Sequence, residues 1–275
     1  MLELPEVVTL TKQASETLVG KKIAHVFNAS KPHKFTFYIG DPLEYGGHLV
    51  GKTIESAKGY GMFVDFFLTG GTILSIGDGV IAKYNEPGNN IPENYQLILG
   101  FEDESFLVFT VAMYGFISVY PDGVIENKYH ELSMNSISPL DDTYTMDNFN
   151  QLFAEAKKTL SAKAILATEQ RIPGVGNGVL QDILFNARIH PKRKALTLSD
   201  EERATLFRSL KDTLKDMTEK GGRNTQSDLY GNSGRYITVL SANTWKKQPC
   251  PACGGSIMKE SYMGGSIYFC PNCQK

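Results

Sequence analysis

Four cysteines, all within the last 26 residues, form two Cys-x-x-Cys pairs, Cys250-Pro-Ala-Cys253 and Cys270-Pro-Asn-Cys273, with sixteen residues between them. Each pair sets two thiolates on a tight turn facing one metal ion, and the intervening segment is long enough for a β-hairpin that brings the pairs together. Four thiolates close a tetrahedral site and leave no open position, which predicts one structural Zn²⁺ ion. A redox pair and an iron–sulfur cluster are the competing uses of the same thiols, and a zinc ribbon by itself does not specify a ligand. A second segment, Arg171-Ile-Pro-Gly-Val-Gly-Asn177, carries glycines that let backbone N–H groups approach a phosphate, with Asn177 opening a helix by its positive end. Taken alone, it reads more readily as a plain interhelical turn capped by Asn177. The block Arg188-Ile-His-Pro-Lys-Arg-Lys194 concentrates cations that either neutralise phosphates or form a solvated loop. Near the start, Glu3 and Glu6 sit at the positive end of a first helix, where dipole stabilisation alone could account for them.

The elements that must position these groups change texture along the chain. Residues 5–19 read as a helix, with Pro5 in the first turn, an apolar stripe through Val7, Leu10, Ala14 and Leu18, and Gly20 as the stop. From about residue 22 to 122 short β-type runs alternate with Gly, Asp, Pro and Asn, the pattern of an antiparallel sandwich or barrel. Helical periodicity returns over 146–157, 162–168, 177–187 and 199–220, the last opening on Ser199-Asp200-Glu201-Glu202, a capping-box start. The polar, Gly-rich stretch 221–236 is expected to be a mobile loop. The fold class is α+β, in three parts. Residues 1–140 form a helix plus antiparallel β-sandwich domain, 141–235 a helical domain, and 236–275 a β-hairpin zinc finger.

The whole chain has 275 residues and a formal charge of −2, a composition that excludes disorder and collagen-like structure. A pI near 6.2 argues mildly against a polyanionic partner. Divided by position the balance is −10 over residues 1–149 and +8 over residues 150–275, with Arg171 the first arginine. Such asymmetry predicts two domains, the second facing an acidic partner. No apolar run reaches 18 residues and the first ten residues lack the pattern of a signal peptide, so membrane spans and secretion are not expected. The clustered cysteines then predict a cytoplasmic chain with reduced thiols.

Together these residues resemble the formamidopyrimidine-DNA glycosylase/endonuclease VIII family. The likeness runs over essentially the whole chain: ELPEV at the start, a β-sandwich, a helix-two-turn-helix reading LATEQRIPGVGNGVLQDILFNARIHP, a loop opening with Gly221-Gly222, and a C-terminal zinc finger ending CQK. The resemblance implies base flipping from damaged or abasic duplex DNA, cleavage of the N-glycosidic bond, and strand nicking through a Schiff base. It implies Glu3 and Lys58 as catalytic residues, and Lys163, Gly176, Asn177 and Arg223 as DNA-binding residues. The zinc ligands are Cys250, Cys253, Cys270 and Cys273, and the chain is expected to be a monomer.

The chain also departs from the family. Leu2 stands where the family has its nucleophilic Pro, so Met1 is expected to be retained and the primary amine displaced by roughly 3.5 Å. Tyr60 replaces Lys58 at the active-site lysine if the following acidic residue sets the register. Gly265 stands in place of the finger arginine, and Thr110-Val-Ala-Met-Tyr-Gly115 lacks the family's arginines. Ser75 and Asp78 stand where the family often has a His and a wedge Met. Three functions follow in order: a divergent glycosylase acting through Glu3 with weak or absent lyase activity, an inactive family member that binds abasic or distorted DNA, and an RNA-associated zinc-ribbon protein.

Overall fold

The computed structural model describes all of Met1–Lys275. The chain opens with α1 (Leu4–Thr17), whose first turn holds Pro5 and whose buried face carries Leu4, Val7, Leu10 and Ala14. β1 (Ile23–Asn28), β2 (Thr36–Ile39), the short α2 (Tyr45–Leu49), β3 (Ile54–Tyr60), β4 (Phe63–Leu68), β5 (Ile73–Asn85), β6 (Leu97–Phe101) and β7 (Phe106–Tyr120) follow. Sequence reading passes over α2 and leaves β3 faint. α2 has only five residues, two of them glycine, and β3 buries only Ile54 and Ala57. Neither segment shows enough apolar periodicity to be seen.

The strands make one sheet in the order β1-β6-β7-β5-β4-β3. Its pairings are antiparallel except that β2 joins β7 in parallel, Phe37 opposite Phe116. The sheet becomes a sandwich because β5 and β7 are long enough to serve both layers. Residues 73–78 of β5 pair with 120–115 of β7, and residues 80–85 pair with 111–106. β4 adds to the first half and β6 to the second. Phe66 of β4 lies opposite Leu74, and Phe109 of β7 opposite Ala82. In a flat sheet those registers would be roughly 26 Å apart. Their rings meet edge to face at 6.2 Å, so the layers fold over a shared core.

The fold line is set by Gly79. A Cβ there would lie 2.2 Å from the Ala112 carbonyl oxygen and 2.3 Å from that of Tyr114, so only glycine lets the two long strands cross at the corner. On either side of it Asp78 and Met113 take left-handed conformations, with φ of 57° and 72°. The corner thereby projects Asp78, Met113 and Tyr114 from one edge of the sandwich.

After β7 the chain forms α3 (Lys128–Asn135), which sequence periodicity misses because it buries little beyond His130 and Ser133. Then come α4 (Met146–Ala154), α5 (Ala162–Ala167), α6 (Asn177–Asn186) and α7 (Asp200–Glu219), close to the expected spans. α4 and α7 both begin with a reciprocal capping box, Thr145 with Asn148 and Ser199 with Glu202. A second apolar core of 22 buried residues joins these helices, and Leu4 of α1 belongs to it while Val7, Leu10 and Ala14 belong to the sandwich core. α1 is therefore shared by both layers of organisation. The strands β8 (Met258–Tyr262) and β9 (Gly265–Phe269) form the expected C-terminal hairpin.

The loop 221–236 departs from expectation, because it is anchored along its length. Arg223 pairs with Tyr236 and Ser227 with Ser233 as isolated bridges. Leu229 is fully buried in the sandwich core, its carbonyl accepting from Tyr84 and its N–H donating to Gln13. Polar composition concealed this, since one buried leucine and a buried arginine hold the whole segment. No helix is long and apolar enough to cross a membrane.

Candidate functional site

α1 begins so early that Glu3 and Glu6 are carried into the junction of the sandwich and the helical domain, where both are buried. Glu3 reaches the start of α6. Its Oε1 accepts from the Gly178 N–H at 2.8 Å and its Oε2 from the Val179 N–H at 2.7 Å. Arg223 lies between the two acids. Its Nη1 is 3.2 Å from Glu3 Oε2, and its backbone N–H, Nε and Nη2 all donate to Glu6, the last at 2.7 Å. Burial works against the guanidinium charge, yet Glu3 and then Glu6 outweigh it and raise the Arg223 pKa. One cation serves two carboxylates here, and the positive end of α6 supplies much of the remaining compensation.

This arrangement changes the meaning of the glycines in Pro173-Gly-Val-Gly-Asn-Gly178. A Cβ on Gly176 would meet Glu3 Oε1 at 2.6 Å, and one on Gly178 would meet Arg223 Nη1 at 1.5 Å. Those glycines make room for an internal ion cluster, and the anion at the start of α6 is the chain's own Glu3. The phosphate-cradle expectation is thus corrected in part. Of the helix's orphan N–H groups, those of Gly178 and Val179 are taken, while those of Gly176 and Asn177 have no protein partner.

Gly176 and Asn177 face a cleft of about 390 Å³ that runs between the sandwich corner, α5, α6 and the hairpin turn. Glu3, Asp78, Tyr114 and Lys163 are among its other walls. The Asp78 carbonyl accepts from the Leu2 N–H at 2.5 Å, which fixes the first residues against the corner. The Met1 amine donates to Gln226 Oε1 at 2.6 Å, and burial, the largest influence on it, lowers its pKa. Asp78 has no side-chain hydrogen bond, and burial pushes its pKa up to about 7; the Met1 ammonium opposes this and Glu3 adds to it. Asp182 of α6 is likewise pushed up by burial, to about 6, but it is enclosed and accepts from the Val239 and Leu240 N–H groups, whereas Asp78 faces the cleft.

The hairpin is mounted on α6. Asn177 and Gln181, one turn apart, both donate to the Ser266 carbonyl, and Gln181 accepts from the Tyr268 N–H. Lys163 is buried, with Nζ donating to the Tyr262 carbonyl at 2.7 Å, and burial lowers its pKa. At the far end of the hairpin the four cysteine Sγ atoms lie within 4.8 Å of one another. The Cys250–Cys273 and Cys253–Cys270 pairs are 3.7 and 3.5 Å apart. A tetrahedron of thiolates with bonds of about 2.3 Å has edges of about 3.8 Å, so the donor set fits a Zn²⁺-like ion.

The residues singled out in the sequence divide clearly. Glu3, Lys163, Gly176 and Asn177 are brought together around the cleft, and the four cysteines are brought together at the hairpin base. Lys58 is not brought in: it is exposed on β3, its ammonium 5.4 Å from the Phe67 ring centroid. Tyr60 lies on a different groove, between α1 and α3. Arg223, expected on DNA, is only 3% exposed and is wholly engaged by Glu3 and Glu6, so it is an internal clamp rather than a phosphate ligand. In the basic block, Arg193 pairs with Glu202 and Lys192 with Glu260, leaving Arg188 and Lys194 exposed without an ion pair. Sequence reasoning noted Asp78 only as a departure from the family's pattern and missed both its role as a buried cleft carboxyl and Gln226. A lone acid at a corner has no periodic signature, and only the folded corner buries it.

The family model described as the formamidopyrimidine-DNA glycosylase H2TH domain matches residues 136–228. The chain is 30% identical over 282 residues to the formamidopyrimidine-DNA glycosylase of Cytobacillus firmus and 32% identical over 287 residues to that of Listeria monocytogenes, each alignment covering both chains completely. Among solved structures, the MutM (Fpg) protein of Thermus thermophilus matches with a TM-score of 0.78 at 25% identity, covering 99% of this chain and 98% of that one. Lactococcus lactis Fpg, crystallised with abasic-site DNA, shares the fold with a TM-score of 0.81 at 21% identity, covering 99% of both chains.

Two measurements probe this junction. Arg223→Met should leave Glu3 and Glu6 buried without their cation, lowering the unfolding free energy by about 3–5 kcal/mol in denaturant titrations; a loss under about 1 kcal/mol would show that the acids do not depend on it. Asp78 holds its proton up to about pH 7 in the folded chain, whereas an unfolded aspartate releases it near pH 3.9. Between those values the folded state binds the extra proton, so this group makes stability fall as pH rises through that window. In Asp78→Asn, the stability lost between pH 5 and pH 7.5 should therefore be smaller than in the unsubstituted chain by roughly 2 kcal/mol. Identical pH responses would mean that the carboxyl is not held protonated.

Proposed function

The chain belongs to the formamidopyrimidine-DNA glycosylase family, and on that premise we propose that it is a DNA-repair protein that binds damaged duplex DNA across the cleft between Glu3, Asp78 and Asn177. The observation that carries this reading is the convergence, on one cleft, of buried carboxyls from the acidic half with phosphate-type donors from the basic half. The N–H groups of Gly176 and Asn177, the Asn177 amide and the Lys163 ammonium supply the grip on the backbone. In the folded chain the Tyr262 and Ser266 carbonyls occupy the acceptor positions that phosphate oxygens would take. The Lactococcus lactis relatives were crystallised with abasic-site DNA and with N7-benzyl-Fapy-dG DNA, which supports the ligand class.

The chemistry that this cleft supports is cleavage of the N-glycosidic bond of a flipped base. Departure of the base leaves positive charge on the sugar, and a fixed Glu3 carboxylate at the cleft wall stabilises that charge. Asp78, with its raised pKa, can protonate the leaving base; water from the open cleft then adds to C1′ of the sugar and returns its proton to the Asp78 carboxylate. Schiff-base lyase activity is weak, because the amine that lines the cleft is that of Met1, one residue displaced from the family's nucleophile and hydrogen-bonded to Gln226, while the Leu2 nitrogen is an amide and Lys58 lies outside the cleft. One observation favours a second reading, binding without chemistry. Both Glu3 oxygens already accept from α6 N–H groups, one also lies on Arg223, and the residue is 2% exposed, which makes it a weak base towards water.

A panel of lesion-bearing duplexes, with cleavage read before and after alkali, tests these readings. The glycosylase reading expects alkali-dependent cleavage, with little direct nicking and little borohydride trapping. Glu3→Gln should lose base release. Because it also removes a carboxylate from the Arg223 cluster and sets an amide N–H against the Gly178 or Val179 donor, its thermal transition should fall, and release is compared with the unsubstituted chain well below that transition and at equal DNA occupancy. Undiminished release by that variant would overturn the role of Glu3, and tight binding without release by the unsubstituted chain would select the binding reading. For the thiol cluster we assign one structural Zn²⁺ to Cys250, Cys253, Cys270 and Cys273, which would hold the hairpin against Lys163 and Asn177. Metal analysis should give about one zinc per chain, and a strong chelator should lower both the melting temperature and DNA affinity. A metal-free chain with unchanged stability would refute the assignment.

A further inference from the structure

Beyond the cleft, on the other side of Asp78 and Tyr114, lies a second pocket of about 360 Å³ that shares Asp78 with the cleft but whose aromatic walls take no part in the reaction. Its size falls within the range of small-molecule sites, roughly 300–1,000 Å³. Aromatic groups dominate its walls. Phe37 of β2 is 46% exposed and packs on its register partner Phe116 with ring centroids 5.3 Å apart. Tyr114 and Tyr129, 38% and 45% exposed, flank them. So much aromatic surface left open around one concavity is unlike the rest of the sandwich, whose core faces are closed.

The polar groups in this pocket face the same space with donors and acceptors to spare. Asn127 uses its Oδ1 to cap α3 through the Tyr129 and His130 N–H groups, and its Nδ2 has no protein partner. Gln170 uses its Oε1 to accept from Gly174, and its Nε2 likewise has none. Asp78 adds a carboxyl. The lining includes no lysine or arginine but does include Asp78 and Glu169, so a phosphate is excluded on charge. A planar, hydrogen-bonding heterocycle is what such walls accept: faces for stacking, and amide and carboxyl groups for its edge.

Backbone strain singles out the same spot. Asp78, Glu169 and Gln170 are non-glycine residues with φ of 57°, 55° and 50°, and all three line the pocket. Left-handed conformations at such residues persist where the surrounding structure enforces them, and they gather at functional sites. The pocket is also continuous with the cleft, sharing Met62, Asp78, Tyr114 and Gln170 with it.

We infer that this aromatic pocket takes a single nucleobase turned out of its stack by the DNA that occupies the adjoining cleft, a base distinct from the one whose glycosidic bond faces Glu3. The inference rests on the DNA-binding reading. The base comes either from opposite the damaged residue or from one of its neighbours, since the recognition chemistry is the same for each.

Removing bases from the DNA and side chains from the pocket tests this in a cycle. Affinities are measured for a duplex with one stable abasic residue, and for duplexes that also lack the opposite base or either flanking base. The unsubstituted chain should lose about 5- to 150-fold in affinity for one of these deletions, the range for loss of one base–aromatic stack. In Phe37→Ala and Tyr114→Ala that same deletion should cost nothing further. Phe37→Leu, which keeps apolar volume but removes the ring face, should match Phe37→Ala in this assay while melting like the unsubstituted chain. If the variants bind the single-abasic duplex as tightly as the unsubstituted chain and feel every deletion equally, the pocket holds no base, although the DNA-binding reading stands. Absence of binding to any duplex by the unsubstituted chain would overturn both.

Discussion

The buried contact of Arg223 with Glu3 and Glu6 is the constraint on which the arrangement of this protein depends. It joins three segments that are far apart in sequence: the first turn of α1, the start of α6 through the Gly178 and Val179 N–H groups, and the loop after α7. Each group alone would be costly to bury, and the cluster is tolerable only because every charge finds hydrogen-bonded partners. The cost of error is therefore high, and that makes the junction specific. α1 cannot slide relative to α6 without stranding a carboxylate, nor can the loop lift away without stranding two.

Fixing that junction fixes the cleft. The sandwich contributes its corner, where Gly79 lets β5 and β7 cross closely and where Asp78 projects inward. The helical domain contributes the start of α6, and α6 in turn carries the hairpin through Asn177, Gln181 and Asp182, the last accepting from the Val239 and Leu240 N–H groups. A metal bound at the four thiols would act at a distance, by stabilising the hairpin whose turn sets the Tyr262 and Ser266 carbonyls against Lys163 and Asn177.

Charge is distributed to match. Acids gather at the junction, where Asp78, partly desolvated, becomes a group that titrates near neutrality. Cations gather on the second half, but several are spent internally: Arg223 in the junction, Arg171 on the end of α5, and Arg193 on Glu202. The +8 of residues 150–275 therefore overstates the positive surface offered to a polyanion, and Lys163 is buried too, its ammonium on the Tyr262 carbonyl.

The sequence by itself determined the local and periodic features. The spacing of the cysteines determined the thiol cluster, apolar periodicity determined α1 and the helices after residue 146, and alternation with turn residues determined an antiparallel β domain. It also determined the family, because ELPEV, PGVGN and the finger are contiguous motifs. Only the tertiary structure decided what those motifs touch. Glycines that read as phosphate-binding proved to admit Glu3 and Arg223, a loop that read as mobile proved to bury Leu229, Lys58 lay outside the cleft, and Asp78 became the free carboxyl of the site. The physical reason is range. Periodicity and capping act over a few residues and leave a trace in their order, whereas burial, desolvation and ion pairing join residues as much as 220 positions apart, as Arg223 is from Glu3, and exist only once the chain has folded.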